Sequence, residues 1–246
     1  YASKTFSFNT QDNSALAVSF SSDGTKMYAV GYANKYIYQY TLSTAWDVST
    51  ASYASKSLLV NGQETDPYGM TFNAAGTKVY VIGTAGQDVN EYALSTAWDI
   101  STGSFTINFS VASQESTPYS VAFSADGTKM FVCGQVGDSV YRYTLSTGFD
   151  VSTASYDSVS FSVASQETSP NGIAFNADGT RMFVSGLDGD NVNEYTSGST
   201  AYTNQMDKTQ LDAVTDPNHI ALGNDFDLSI ILNMTSGTTV PSSNGV

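Results

Sequence analysis

The sequence predicts an all-β chain folded as a β-propeller, four blades of four antiparallel strands closed by the N-terminal strand. Three observations carry that expectation. A turn glycine recurs at Gly24, Gly76, Gly127 and Gly179, at spacings of 52, 51 and 52 residues, a period expected of propeller blades or stacked arrays. Each period holds short runs rich in aromatic and β-branched residues, bounded by Gly, Asp, Asn or Ser, as in a meander of antiparallel strands. A long connector then follows the third run in every unit but the last.

The unit at residues 118–145, PYSVAFSADGTKMFVCGQVGDSVYRYTL, shows the elements in order. VAFS alternates apolar and polar residues, SADGTK supplies a turn, MFVCG is a second strand, and SVYRYTL is a third. In D-G-T-K the glycine takes a left-handed backbone that a Cβ would resist. A fourth strand precedes each unit, as TFSFN, SLLVNG, FTINFSVAS and SVSFSVAS. Four strands per period match the four-stranded blade of a propeller. The pattern FSADGTKMFVCGQVGDSVYRYTL resembles the bacterial and archaeal surface-type propeller repeats called YVTN or lactonase-like, over residues 5–196. That resemblance implies the fold; for activity it implies only that some relatives open lactones or esters.

Residues 1–13 align with the segment that precedes the later units, so the chain starts with a blade's last strand. Pairing that strand with the fourth unit would close the ring and remove exposed sheet edges. The alternative is a larger ring, completed by another chain or by further sequence. The connectors at 42–53, 94–105 and 145–156 shrink to TSGSTAY after the fourth unit, as closure would require. Two regions follow: residues 1–197 as the propeller, and 198–246 as a linker plus a β-containing tail, read as packing on the ring or opening a second module. The tail holds DFDLSIILNM, which has strand character, and His219, the one histidine.

Composition narrows the functions. The formal charge is −14, with 9 Lys plus Arg against 23 Asp plus Glu, which opposes nucleic-acid phosphates and anionic membranes. No apolar run is long enough to span a bilayer as a helix. The chain opens at Tyr1 without Met and is read as a piece of something longer. A single cysteine excludes an internal disulfide and leaves the redox compartment open. Few charges beside many Ser, Thr, Asn, Gly and Tyr suit an extracellular, cell-surface or virion location.

Equivalent positions in the four units allow each candidate to be weighed within the chain. Cys133 corresponds to Val30, Ile82 and Ser185, the signature of a packed site and not of a reactive thiol. A Gln-acid pair recurs between the fourth strand and the next unit, placing Asp12, Glu64, Glu115 and Glu167 on one face. Such a ring of oxygens could take Ca²⁺; equally, each pair could fix blade packing through backbone hydrogen bonds. The opposite face carries Trp46-Asp47, Trp98-Asp99 and Phe149-Asp150. An aromatic beside a carboxylate suits sugar recognition, and the same pair could staple the connector to its blade.

The main expectation is a non-enzymatic recognition or structural module, of adhesin or of tail or capsid fibre type. Its partners would be a protein or glycan on a cell surface, or other subunits of a surface or virion assembly. The alternative is a metal-dependent lactonase-like or esterase-like hydrolase with a cation at the channel, for which Asp12, Glu64, Glu115 and Glu167 are the residues to test. No histidine lies in the ring, so a carboxylate would have to serve as its general base.

Overall fold

The computed structural model describes residues 2–196. They form four antiparallel sheets, each a simple meander. Blade 1 is β1 (Ala15–Phe20), β2 (Lys26–Gly31), β3 (Tyr36–Leu42) and β4 (Ala51–Leu59). Blade 2 is β5 (Pro67–Phe72), β6 (Lys78–Gly83), β7 (Asp88–Leu94) and β8 (Gly103–Ser110). Blade 3 is β9 (Pro118–Phe123), β10 (Lys129–Gly134), β11 (Ser139–Leu145) and β12 (Ala154–Ser162). Blade 4 has three strands, β13 (Pro170–Phe175), β14 (Arg181–Gly186) and β15 (Val192–Thr196). The propeller class is therefore as expected. The tail at 198–246, with His219, lies outside the described residues.

Strand alternation builds the core. In β2, Tyr28 and Val30 face blade 2, while Met27 and Ala29 face the other way. Side chains from successive blades interleave in three layers, and one aromatic pair repeats in each. Tyr28 meets Phe72, Tyr80 meets Phe123, and Phe131 meets Phe175, all with ring centroids 4.5 Å apart. Burying one such ring contributes about 2–3 kcal/mol, so the layers between blades hold the structure together. The inner strands β1, β5, β9 and β13 pack side by side in that order.

The one-residue shortening of the second period has a local cause. At the bulge in the outermost strand pair, blades 1 and 3 skip two residues, with Gln39 opposite Lys56 and Tyr40 opposite Tyr53 in blade 1. Blade 2 skips one, with Glu91 opposite Ile107 and Tyr92 opposite Phe105. Bulges absorb such length changes without moving the inner strands.

The N-terminal segment differs from the expected closing strand. Among the described residues β15 pairs only with β14, and residues 2–14 carry no ladder. Phe6 and Phe8 instead pack on Tyr40 of blade 1, at 5.0 and 5.3 Å between centroids. They occupy the places that Leu58 and Val60 take against blade 2. The segment therefore behaves as the outer strand of a blade preceding blade 1.

Candidate functional site

A cavity of about 720 Å³ lies on the concave side of the four inner strands. Its wall comes from equivalent positions of each blade, including Leu16, Tyr68, Tyr119 and Asn171 near one end. Each of the four is the extra residue of a β-bulge in its inner strand, without a ladder partner on the second strand, and a bulge re-aims its side chain out of the strand's alternation. The rings of Tyr68 and Tyr119 meet at 4.5 Å between centroids, tilted by 40°, and the Tyr119 hydroxyl donates to Gln135 Oε1 at 2.8 Å. Burial raises the Tyr119 hydroxyl pKa above its ordinary value, with the neighbouring Tyr68 and Glu115 adding to the effect. Ser185 Oγ donates to Asn171 Oδ1 at 3.3 Å, which leaves the Asn171 amide N–H₂ as the end able to donate into the cavity. Among the described residues no Lys, Arg, Asp or Glu lines it. The surface is neutral and presents hydroxyls and amides beside apolar side chains.

The sequence reading had not singled out these positions. The signal was present, because the succession Leu16, Tyr68, Tyr119, Asn171 changes character between copies while the position two residues on stays apolar as Val18, Met70, Val121 and Ile173. A scaffold alone does not ask for that variation.

The four acids of the Gln-acid pairs are all buried, and each holds its own blade's loop. Glu64 accepts from the backbone N–H of Asp66 (2.7 Å), Ala85 (3.2 Å) and Gly86 (3.1 Å). Glu115 accepts from Thr117, Val136 and Gly137, and Glu167 from Ser169, Asp188 and Gly189. Asp12 accepts from Ser14 and Asn34, both at 2.8 Å. The adjacent glutamines Gln11, Gln63, Gln114 and Gln166 accept from Tyr40, Tyr92, Tyr143 and Tyr195 hydroxyls. These carboxylates have their oxygens taken up by backbone donors. Among the described residues no group of three His, Cys, Asp or Glu is arranged to hold a metal. The Ca²⁺ ring does not fit these residues.

The aromatic-acid pairs lie on the connectors and are committed in the same way. Trp46, Trp98 and Phe149 adopt φ of 64°, 61° and 61°, and each ring covers the turn glycine of its blade. A Cβ at Gly24 would fall 2.3 Å from the Trp46 indole, so glycine is required there by contact as well as by its φ of 69°. Asp47, Asp99 and Asp150 cap short 3₁₀ turns by accepting from Ser49, Ser101 and Ser152. Asp47 and Asp99 also take Lys4 and Lys56 across the blade boundary. These hydrogen bonds, led by the lysine, hold both carboxyls below their ordinary pKa. Cys133 is fully buried among Phe131, Val140 and Met182, and burial pushes its thiol pKa up.

No family model matches the chain, and no curated protein matches it. Solved structures do. A candidate 6-phosphogluconolactonase from Bacteroides uniformis matches with a TM-score of 0.54 at 12% identity, over 74% of this chain and 50% of that one. A protein of unknown function from Desulfotomaculum acetoxidans gives 0.53 at 15%, over 75% and 55%. A second candidate 6-phosphogluconolactonase, from Bacteroides fragilis, gives 0.53 at 13%, over 74% and 50%. At these identities the likeness establishes the β-propeller fold, and the matched part spans about half of each solved structure.

Against the expectation of a non-enzymatic recognition module, two of these propellers are named for lactone chemistry. Nothing in the matches supports an adhesin, a virion fibre or a carbohydrate receptor.

Proposed function

We propose that the chain contributes to a lactonase-like hydrolase that takes a neutral, hydroxyl-bearing cyclic ester in the axial cavity. The observation that carries this is the cavity wall itself: among the described residues it is uncharged, and it carries hydroxyl and amide groups next to a pair of tyrosines in contact. Hydroxyls of a sugar-like ring would pair with Ser, Thr and Asn side chains, and its C–H faces would lie on Tyr68 and Tyr119. The names of two structural neighbours support the same class. In hydrolysis water adds to the lactone carbonyl, the ring C–O bond breaks, and the proton passes to the departing oxygen to give a hydroxy acid. Donors aimed at the carbonyl oxygen stabilise the charge that develops there. The Asn171 amide and the Tyr68 hydroxyl have the chemistry for that role. A cation is not part of the proposal, since the four acids are spent on backbone N–H groups.

The test is proton release from glucono-δ-lactone and from its 6-phosphorylated form, above the uncatalysed rate. With no Lys or Arg in the lining, the unphosphorylated lactone is expected to be the better substrate. Asn171→Ala should lower kcat at least 10-fold with an unchanged melting temperature. Failure of both lactones to react above background overturns the reading.

A further inference from the structure

The three layers between blades have counterparts at the two ends of the array, and there the same positions are bare. Ile37, Val89 and Val140 are fully buried against the following blade, whereas the equivalent Val192 of blade 4 is 67% exposed. Met70 and Val121 are 8% and 4% exposed against the preceding blade, whereas the equivalent Val18 of blade 1 is 54% exposed. Trp46 is 61% exposed, while Trp98 and Phe149 in the same place are half-buried. Inner strands β13 and β1 are not among the closely packed pairs. Among the described residues the arc is open, with the donor face of a blade at one end and the acceptor face at the other.

Polar groups at the two ends are unmatched in the same register. Gln39 Oε1 accepts the backbone N–H of Ile100, and Glu91 Oε2 accepts that of Val151, so each latches the connector of the next blade. The equivalent acceptor on blade 4 is Glu194, and the equivalent N–H is that of Val48. Among the described residues no acceptor meets Val48 N–H, and Glu194 reaches only Arg181.

We infer that the open ends join head to tail with a second copy of this chain, each copy's N-terminal segment becoming the fourth strand of the other's blade 4. The register of the inner blades sets the pairing. Ile37 lies opposite Leu58 and Gln39 opposite Lys56, which are the equivalents of Phe6 and Lys4. Val192 then faces Phe6 of the second copy, and Glu194 faces its Lys4, an apolar pair followed by an opposite-charge pair. Glu194 also comes within reach of the second copy's Val48 N–H. The exposed edge of β15 is capped in the same step. Size is compatible: the matched part spans 50–55% of each solved propeller chain, so a ring of that size takes about as much chain again. Association is isologous, with two identical junctions and closed two-fold symmetry. It also encloses the axial cavity from the side that one copy leaves open. The inference stands independently of the hydrolase reading.

Light scattering on the size-separated chain tests it, with a mass of two chains expected. Val192→Asp should drive the population to single chains, while Val136→Asp, at an exposed loop site away from the junction, should leave the dimer intact. A Phe6→Cys, Val192→Cys double variant should form a disulfide between chains under mild oxidation, read as a doubled mass on a non-reducing gel; the native Cys133 is buried and does not compete. A single-chain mass for the unaltered protein overturns the proposal. So does a disulfide formed within one chain, which would mean closure by the chain's own N-terminal segment.

Discussion

Contacts inside a blade and contacts between blades are organised differently. Inside a blade the same hydrogen bonds occur four times: a buried acid gathers the N–H groups of its loop, and a tyrosine hydroxyl meets the neighbouring glutamine. They are as complete in blades 1 and 4 as in blades 2 and 3. Between blades the contacts occur three times and then stop. Tyr80, for example, packs against the Phe123 ring and donates to the Phe149 carbonyl at 2.6 Å, while Phe183 in the same place on blade 4 is half-buried. The difference separates what one repeat encodes from what only a neighbour supplies.

The largest effect should come from cutting a completed layer. Tyr80→Ala removes a fully buried ring and its hydrogen bond, and should cost about 3–5 kcal/mol in urea unfolding. Phe183→Ala should cost under about 1 kcal/mol in dilute single chains. Its cost should then grow with protein concentration as the open face becomes covered. A loss of the Tyr80 size at every concentration would mean that the chain itself covers Phe183.

Within-blade contacts should respond without regard to position. Glu115→Gln and Glu167→Gln each replace one acceptor oxygen by an N–H₂ that faces backbone donors, at a cost of about 1–3 kcal/mol. The two losses should agree within about 0.5 kcal/mol, although blade 3 is flanked on both sides and blade 4 is not. Ca²⁺ or chelator should shift neither melting temperature. A calcium-dependent shift lost in Glu115→Gln would restore the cation reading that the loop hydrogen bonds displace.

How much could be read from the chain follows the same division. The turn glycines, the strand count and the Gln-acid pairs were legible because each is repeated and each acts within about 30 residues of sequence. The packing role of Cys133 was legible from Val30, Ile82 and Ser185 at its equivalents. Closure was not, because the segment around Phe6 and Phe8 carries the pattern of an outer strand whichever blade it completes. The channel-facing Tyr68, Tyr119 and Asn171 escaped because each is the extra residue of a β-bulge, which breaks the two-residue alternation by which a strand's faces are read. The aromatic-acid pairs were seen, but only coordinates could show the indole of Trp46 lying on Gly24 with Asp47 spent on the Ser49 N–H.

The smallest expected effect concerns the turn between the first two strands of each blade. Asp23 accepts from the Ser21 hydroxyl and from the Thr25 N–H and hydroxyl, and these bonds, the Ser21 one foremost, lower its pKa from 3.8 to about 2. Asp126 is lowered chiefly by the Ser124 hydroxyl, and Asp178 chiefly by the Thr180 hydroxyl. Blade 2 has Ala75 at this place, and Asn73 Oδ1 alone receives the Thr77 and Lys78 N–H groups, at 2.9 and 3.0 Å. In blade 4 the two devices coexist: Asn176 takes the Arg181 N–H while Asp178 takes that of Thr180. Ala75→Asp should therefore fit blade 2 without displacing Asn73, and raise the melting temperature by about 1 °C near neutral pH. A carboxyl whose folded pKa is depressed contributes fully above its unfolded value and loses that contribution as pH falls towards the folded one. The gain should hold at pH 6 and fade between about pH 4 and pH 2, in step with the acid sensitivity that Asp23, Asp126 and Asp178 already confer. A gain that persisted unchanged at pH 2 would have to come from something other than the ionised carboxylate, and would detach the turn chemistry from the stability of the blade.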